Sequence, residues 1–73
     1  MTQQELQNIC KIKLEESQQQ NNQESIKIYT LIQQMLTYDN ALKQLGVEVS
    51  LNLLRDLGFD KTQAEQIYLD SIK

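Results

Sequence analysis

The run QESIKIYTLIQQMLTYDNALKQLG, residues 23–46, carries the strongest periodicity in the chain. Ile28, Leu31, Ile32, Met35, Leu36, Leu42 and Leu45 recur at spacings of three and four, with Tyr38 and Ala41 near the same stripe. That is the period of an amphipathic helix. Ile26, Ile28, Thr30 and Ile32 also alternate as a strand would, but the longer period persists through about five turns and outweighs it. The spacing predicts one helix over residues 23–45, about 34 Å long at 1.5 Å per residue. Asn21 with Glu24 three residues on forms a capping-box pattern at its start. Gly46 ends it, because glycine takes the left-handed conformation without a Cβ penalty. With Leu45 as the C-cap, Val47 is placed to touch Leu42.

Downstream, the pattern shortens. Ser50 is the expected N-cap of a helix over residues 50–57, with Leu51, Leu54 and Leu57 as its stripe and residues 47–50 extended ahead of it. Gly58 repeats the device of Gly46, and Phe59 is placed to touch Leu54. Asp60 with Gln63 resembles another capping box, and Phe59 can staple onto Ala64. Ala64, Ile67, Tyr68 and Ile72 then give a helix over residues 61–72. The chain has only two glycines, and both fall at expected helix ends. That agreement between turn chemistry and periodicity is the best sequence evidence for the fold.

Upstream, Thr2-Gln3-Gln4-Glu5 is a capping box, with Met1 and Leu6 at the flanking staple positions. Leu6, Ile9, Cys10 and Leu14 follow at helical spacing and predict a helix over residues 3–17. Cys10, Ile12 and Leu14 also alternate with Lys11 and Lys13, so residues 9–14 stand open between helix and strand on pattern alone. The amide-rich run at residues 18–22 reads as a polar linker. The expected architecture is an all-α bundle of three to four helices in a single domain: an antiparallel hairpin of two longer helices plus a short C-terminal helix pair.

Composition narrows function by exclusion. The chain has 73 residues, one Cys, no His, no Trp and no Pro. One thiol without imidazole leaves no zinc finger, haem attachment or disulfide framework. Catalysis would lack the usual activator of a nucleophile. Glu15-Glu16 points about 100° apart on a helix, a poor acid–base pair, and Asp56 with Asp60 offers too few oxygens for a calcium loop. Cys10 falls on the apolar stripe and reads as a buried structural thiol. Neither cofactor nor metal is expected. No apolar run is long enough to span a membrane. Neither a basic n-region nor an apolar h-region follows Met1, so no signal peptide is expected, and a lone thiol fits a cytoplasmic setting. The net charge of −3 is spread as −1, 0 and −2 over residues 1–20, 21–46 and 47–73, which suggests a solvated face rather than a nucleic-acid surface. Abundant Gln, Asn, Lys and Ile suit an A+T-rich bacterial or phage genome.

Residues 50–72 share the outline of a helix-turn-helix. Gln63 and Gln66 could read adenine, but Glu65 and Asp70 on the same helix oppose phosphate. The stretch Leu53-Leu54-Arg55-Asp56-Leu57-Gly58-Phe59 followed by Gln63-Ala64 resembles the first half of a ubiquitin-associated domain. The resemblance covers residues 53–72 and implies a Gly-Phe turn into a packed second helix. The family's third helix has no room here, since only Lys73 follows Ile72, and no function is carried over.

The remaining clue is surplus apolar surface. Ile12, Ile26, Tyr29, Val49, Leu53 and Leu69 fall beside or outside the main stripes of a core that is barely large enough. The expected function is therefore protein–protein interaction in a regulatory or accessory role. An apolar helix face docks on a protein partner or on a second copy of the chain, with no small-molecule substrate. Tyr29, Leu53, Phe59, Tyr68 and Leu69 are the expected interface residues, with aromatic anchors foremost. A nucleic-acid-associated regulator built on residues 50–72 is the alternative.

Overall fold

The computed structural model describes all 73 residues. It contains four helices and no strand: α1 (Gln3–Gln19), α2 (Gln23–Met35), α3 (Ala41–Asp56) and α4 (Lys61–Ser71). The all-α bundle stands, and residues 9–14 are helical throughout. α2 packs chiefly against α1, and α4 against α3, so the bundle is two helical hairpins laid together. Between them lies one core, of which Leu6, Leu36, Leu54 and Leu57 are the largest fully buried members.

Local chemistry explains most boundaries. The Thr2 hydroxyl accepts the Glu5 N–H while the Glu5 carboxylate accepts the Thr2 N–H, the reciprocal pair of a capping box. Asp60 and Gln63 do the same at α4. At the end of α3, Gly58 sits at φ +105°, the Phe59 N–H donates to Leu54 O and the Gly58 N–H donates to Arg55 O. These two bonds define a Schellman turn, and Phe59 packs on the core as the spacing anticipates.

The segment at residues 18–22 is tighter than a linker. α1 runs on to Gln19, and Asn21 takes a left-handed φ of +56°. The Asn22 N–H donates to Ser17 O and the Asn21 N–H donates to Gln18 O, a second Schellman turn with asparagine in the glycine position. Asn22, not Asn21, then caps α2, its side chain accepting the Ser25 N–H.

The main correction concerns residues 23–45, which do not form one helix. α2 ends at Met35, residues 36–40 turn, and α3 begins at Ala41. The break is held in large part from α1. Gln3 Nε2 donates to Leu36 O at 2.6 Å and to Tyr38 O at 2.8 Å, and Gln3 Oε1 accepts the Ala41 N–H at 3.1 Å. Gln7, one turn along the same face, donates to Leu36 O at 2.6 Å. Two glutamine side chains thus satisfy backbone groups that the helix ladder no longer pairs. α3 reaches its full length only across a kink at Gly46, so the longest unbroken helices are α1 and α2, and these two pack on each other as the expected hairpin, with α2 shorter than its periodicity suggests.

Gly46 differs from expectation in part. It sits within α3 at φ +84°, ψ 171°, a non-helical region open essentially to glycine alone, so the helical run from Ala41 does stop there as expected, but a second run follows at once across the kink. Residues 47–50 continue as helix, and Val47 is exposed instead of lying against Leu42. Ser50 is not an N-cap. It is fully buried, and its hydroxyl donates to Leu42 O at 2.7 Å. In a straight helix residues eight apart lie about 12 Å apart along the axis, so this bond exists only because the chain bends at Gly46.

Candidate functional site

α2 presents two apolar stripes. Tyr29, Ile32 and Leu36 face the core, with Ile32 and Leu36 buried and Tyr29 half-buried. Ile28, Leu31 and Met35 repeat the same spacing one residue earlier, which rotates them by about 100° around the helix. Ile28 and Leu31 are exposed, Leu31 at 53%, and Met35 is half-buried. The broad stripe in the sequence therefore divides into an inner set and an outer set.

The outer set borders a groove between α2 and α3. Ile28, Leu31 and Met35 form one wall, Val49 stands on the other, and buried Ile32 and Leu53 contribute to its lining. Asn52 and Asp56 complete the α3 side, and Asp56 is the one charged residue lining it. The concavity is shallow, about 190 Å³, less than small-molecule pockets require. A second apolar cleft, about 240 Å³, between α3 and α4 is lined by Val47, Leu51, Tyr68 and Leu69, with Glu65 at its edge.

The five expected interface residues separate. Leu53 is 4% exposed and is taken up by the core, which corrects its reading as a spare apolar residue. Phe59 and Tyr68 are half-buried against the core, and so is Tyr29. Leu69 is exposed, at 52%. Only Tyr68 and Leu69 come together, in the α3–α4 cleft, and the structure does not gather the five at one place. Sequence reasoning missed Ile28, Leu31 and Met35 as surface residues. The available signal was the width of the α2 stripe, which exceeds what one neighbouring helix can cover.

The buried thiol is inert in its surroundings. Cys10 is fully buried, its Sγ donates to Tyr29 O at 3.1 Å, and burial pushes the thiol up from its ordinary value. No group of three or more Cys, Asp and Glu side chains is arranged to hold a metal ion. The largest concavity, about 290 Å³, lies where α1 begins, beside the Asn40 turn and the end of α4. No helix is long and apolar enough to cross a membrane.

α4 is poorly equipped to read DNA. Gln63 is engaged in the capping box, and Gln66 Nε2 donates to Asp70 Oδ1 at 3.1 Å. Both amides that could contact a base thus have local partners, and the exposed Glu65 and Asp70 repel phosphate. The Gly-Phe turn shared with ubiquitin-associated domains is present as a Schellman turn. No protein-family profile, curated protein or solved structure matches this chain.

Proposed function

We propose that this chain is a small, non-catalytic interaction module of the cytoplasm, which receives an amphipathic helix of a protein partner in the groove between α2 and α3. One observation carries the reading: α2 has a second apolar stripe, of which the chain's own core covers Met35 in part and leaves Ile28 and Leu31 exposed. Exposed single apolar residues are ordinary, but an ordered row facing Val49 across a groove offers helix-in-groove docking. Ile32 and Leu53, held at 4% exposure, give the groove a rigid base. A partner helix would place residues at i, i+3 or i+4, and i+7 along the row. The regulatory or accessory role follows from docking without chemistry.

The test is a pull-down from a lysate of the source cells with wild type, Leu31→Lys, Val49→Lys and Leu69→Lys. Leu31 and Val49 are exposed, so the substitutions should leave the helical circular dichroism and melting unchanged. The expected result is a partner held by wild type and Leu69→Lys and released by both groove variants. A captured set that none of the three substitutions alters would remove the groove from the function.

A further inference from the structure

The turn at residues 36–40 is held from two sides: Gln3 and Gln7 reach it from α1, and locally the Thr37 hydroxyl donates to Gln34 O and Gln44 Nε2 donates to Asp39 O, in a run of weak helix formers. No proline occurs in the chain, and no glycine precedes Gly46, so nothing in residues 23–45 forbids a helix. The groups that Gln3 clasps are Leu36 O, Tyr38 O and the Ala41 N–H. A continuous helix would pair these same groups through its own ladder: Leu36 O with Asn40 N–H, Tyr38 O with Leu42 N–H, and Ala41 N–H with Thr37 O. The bent state also holds Asn40 at φ +52°, in the left-handed region, with no capping bond from its side chain. On either side of the turn lie two pre-packed units, α1 with α2 and α3 with α4.

From these features we infer that the chain has a second, domain-swapped state formed with a second copy of itself. Residues 36–40 straighten, α2 fuses with residues 41–45 into one helix ending at Gly46, and each copy lays its α3–α4 unit on the α1–α2 unit of the other. The core of Leu6, Leu36, Leu54 and Leu57 re-forms between chains from the same side chains. Only the hinge differs between the states: glutamine amides and a left-handed asparagine in the closed chain, a plain helix ladder in the swapped pair. Short hinges held under strain favour such exchange.

The hinge residues make the inference testable, because each swapped dimer opens two closed chains and every per-chain effect enters squared. Gln3→Ala removes the clasp from the closed state alone. Losing it favours opening by about tenfold per chain, and dimerisation by about a hundredfold. Asn40→Ala penalises the left-handed turn and favours the helix, while Asn40→Gly does the reverse on both counts. Light scattering on refolded protein over micromolar to millimolar concentration should show mass near twice 8.5 kDa in Gln3→Ala and Asn40→Ala, and monomer in Asn40→Gly. Native mass spectrometry of mixed light and heavy-isotope dimers should show slow subunit exchange, because exchange requires the core to open. Should Gln3→Ala fail to fold, the Asn40 pair decides. Monomer throughout overturns the inference. So does a dimer indifferent to residue 40, a dimer that exchanges within the mixing time, or one that Leu31→Lys disperses, since each of these describes surface contact through the groove.

Discussion

Ser50→Ala tests whether the kink in α3 is held by a tertiary hydrogen bond. The Ser50 hydroxyl is fully buried and donates to Leu42 O at 2.7 Å, across the bend at Gly46. Removing it takes the bond across the kink from the buried Leu42 carbonyl, which costs about 1.5 kcal/mol. Alanine returns about 0.5 kcal/mol through its better helix propensity. The net loss is then about 1 kcal/mol. For a chain of this length that corresponds to a fall in Tm of about 4–8 °C. Ser17→Ala is the internal control. Ser17 is also buried, but its hydroxyl donates to Lys13 O at 2.9 Å, one turn back along α1, where the ladder already supplies that carbonyl with a donor. Its replacement should cost less than about 0.5 kcal/mol. Urea titration followed by circular dichroism at 222 nm measures both, and the m-value should not change if only the native state is affected. Equal losses for the two variants, or a loss under about 0.5 kcal/mol for Ser50→Ala, would refute the view that this bond ties the halves of α3 together.

Other expectations follow from the same geometry. Leu54→Ala removes a fully buried side chain at a cost of about 2–5 kcal/mol, against a total stability of about 4–11 kcal/mol for a chain of this length, and should abolish or severely broaden the thermal transition. Gly46→Ala meets no atom within 4 Å, so its cost should be that of the backbone alone, about 1–3 kcal/mol at φ +84°, ψ 171°, read from the urea midpoint. Cys10 should resist an aromatic disulfide reagent in the native chain and react fully in denaturant, because its thiol is buried and bonded to Tyr29 O. The raised Cys10 pKa also gives a sign for pH. The unfolded chain loses the thiol proton near its ordinary value of about 8.5 while the folded chain keeps it, so stability should fall as pH rises past that value, until the folded thiol ionises too. Cys10→Ala should remove that component of the decline, as measured by urea midpoints of the two proteins across alkaline pH.

The chain's own letters determined what depends on partners a few residues away. Thr2 with Glu5, and Asp60 with Gln63, set two helix starts, and Gly58 with Phe59 sets one helix end, because the donors and acceptors concerned lie within one or two turns. The all-α class followed from the same short-range signals. Burial of Cys10 and packing of Phe59 were legible too, since Cys10 sits on the stripe of its own helix and Phe59 follows the Gly58 turn at the position that folds back on the helix end. Tertiary structure decided the rest. The break between α2 and α3 depends on Gln3 and Gln7, which meet Leu36, Tyr38 and Ala41 from about thirty residues away, and no periodicity within residues 23–45 reports such a partner. Ser50 has the composition of a cap, but the bend at Gly46 carries it into the core. The groove was hidden for a related reason. A helix with two adjacent apolar stripes has one hydrophobic pattern, and only the position of α1 fixes Tyr29, Ile32 and Leu36 as its inner face and leaves Ile28 and Leu31 to the solvent.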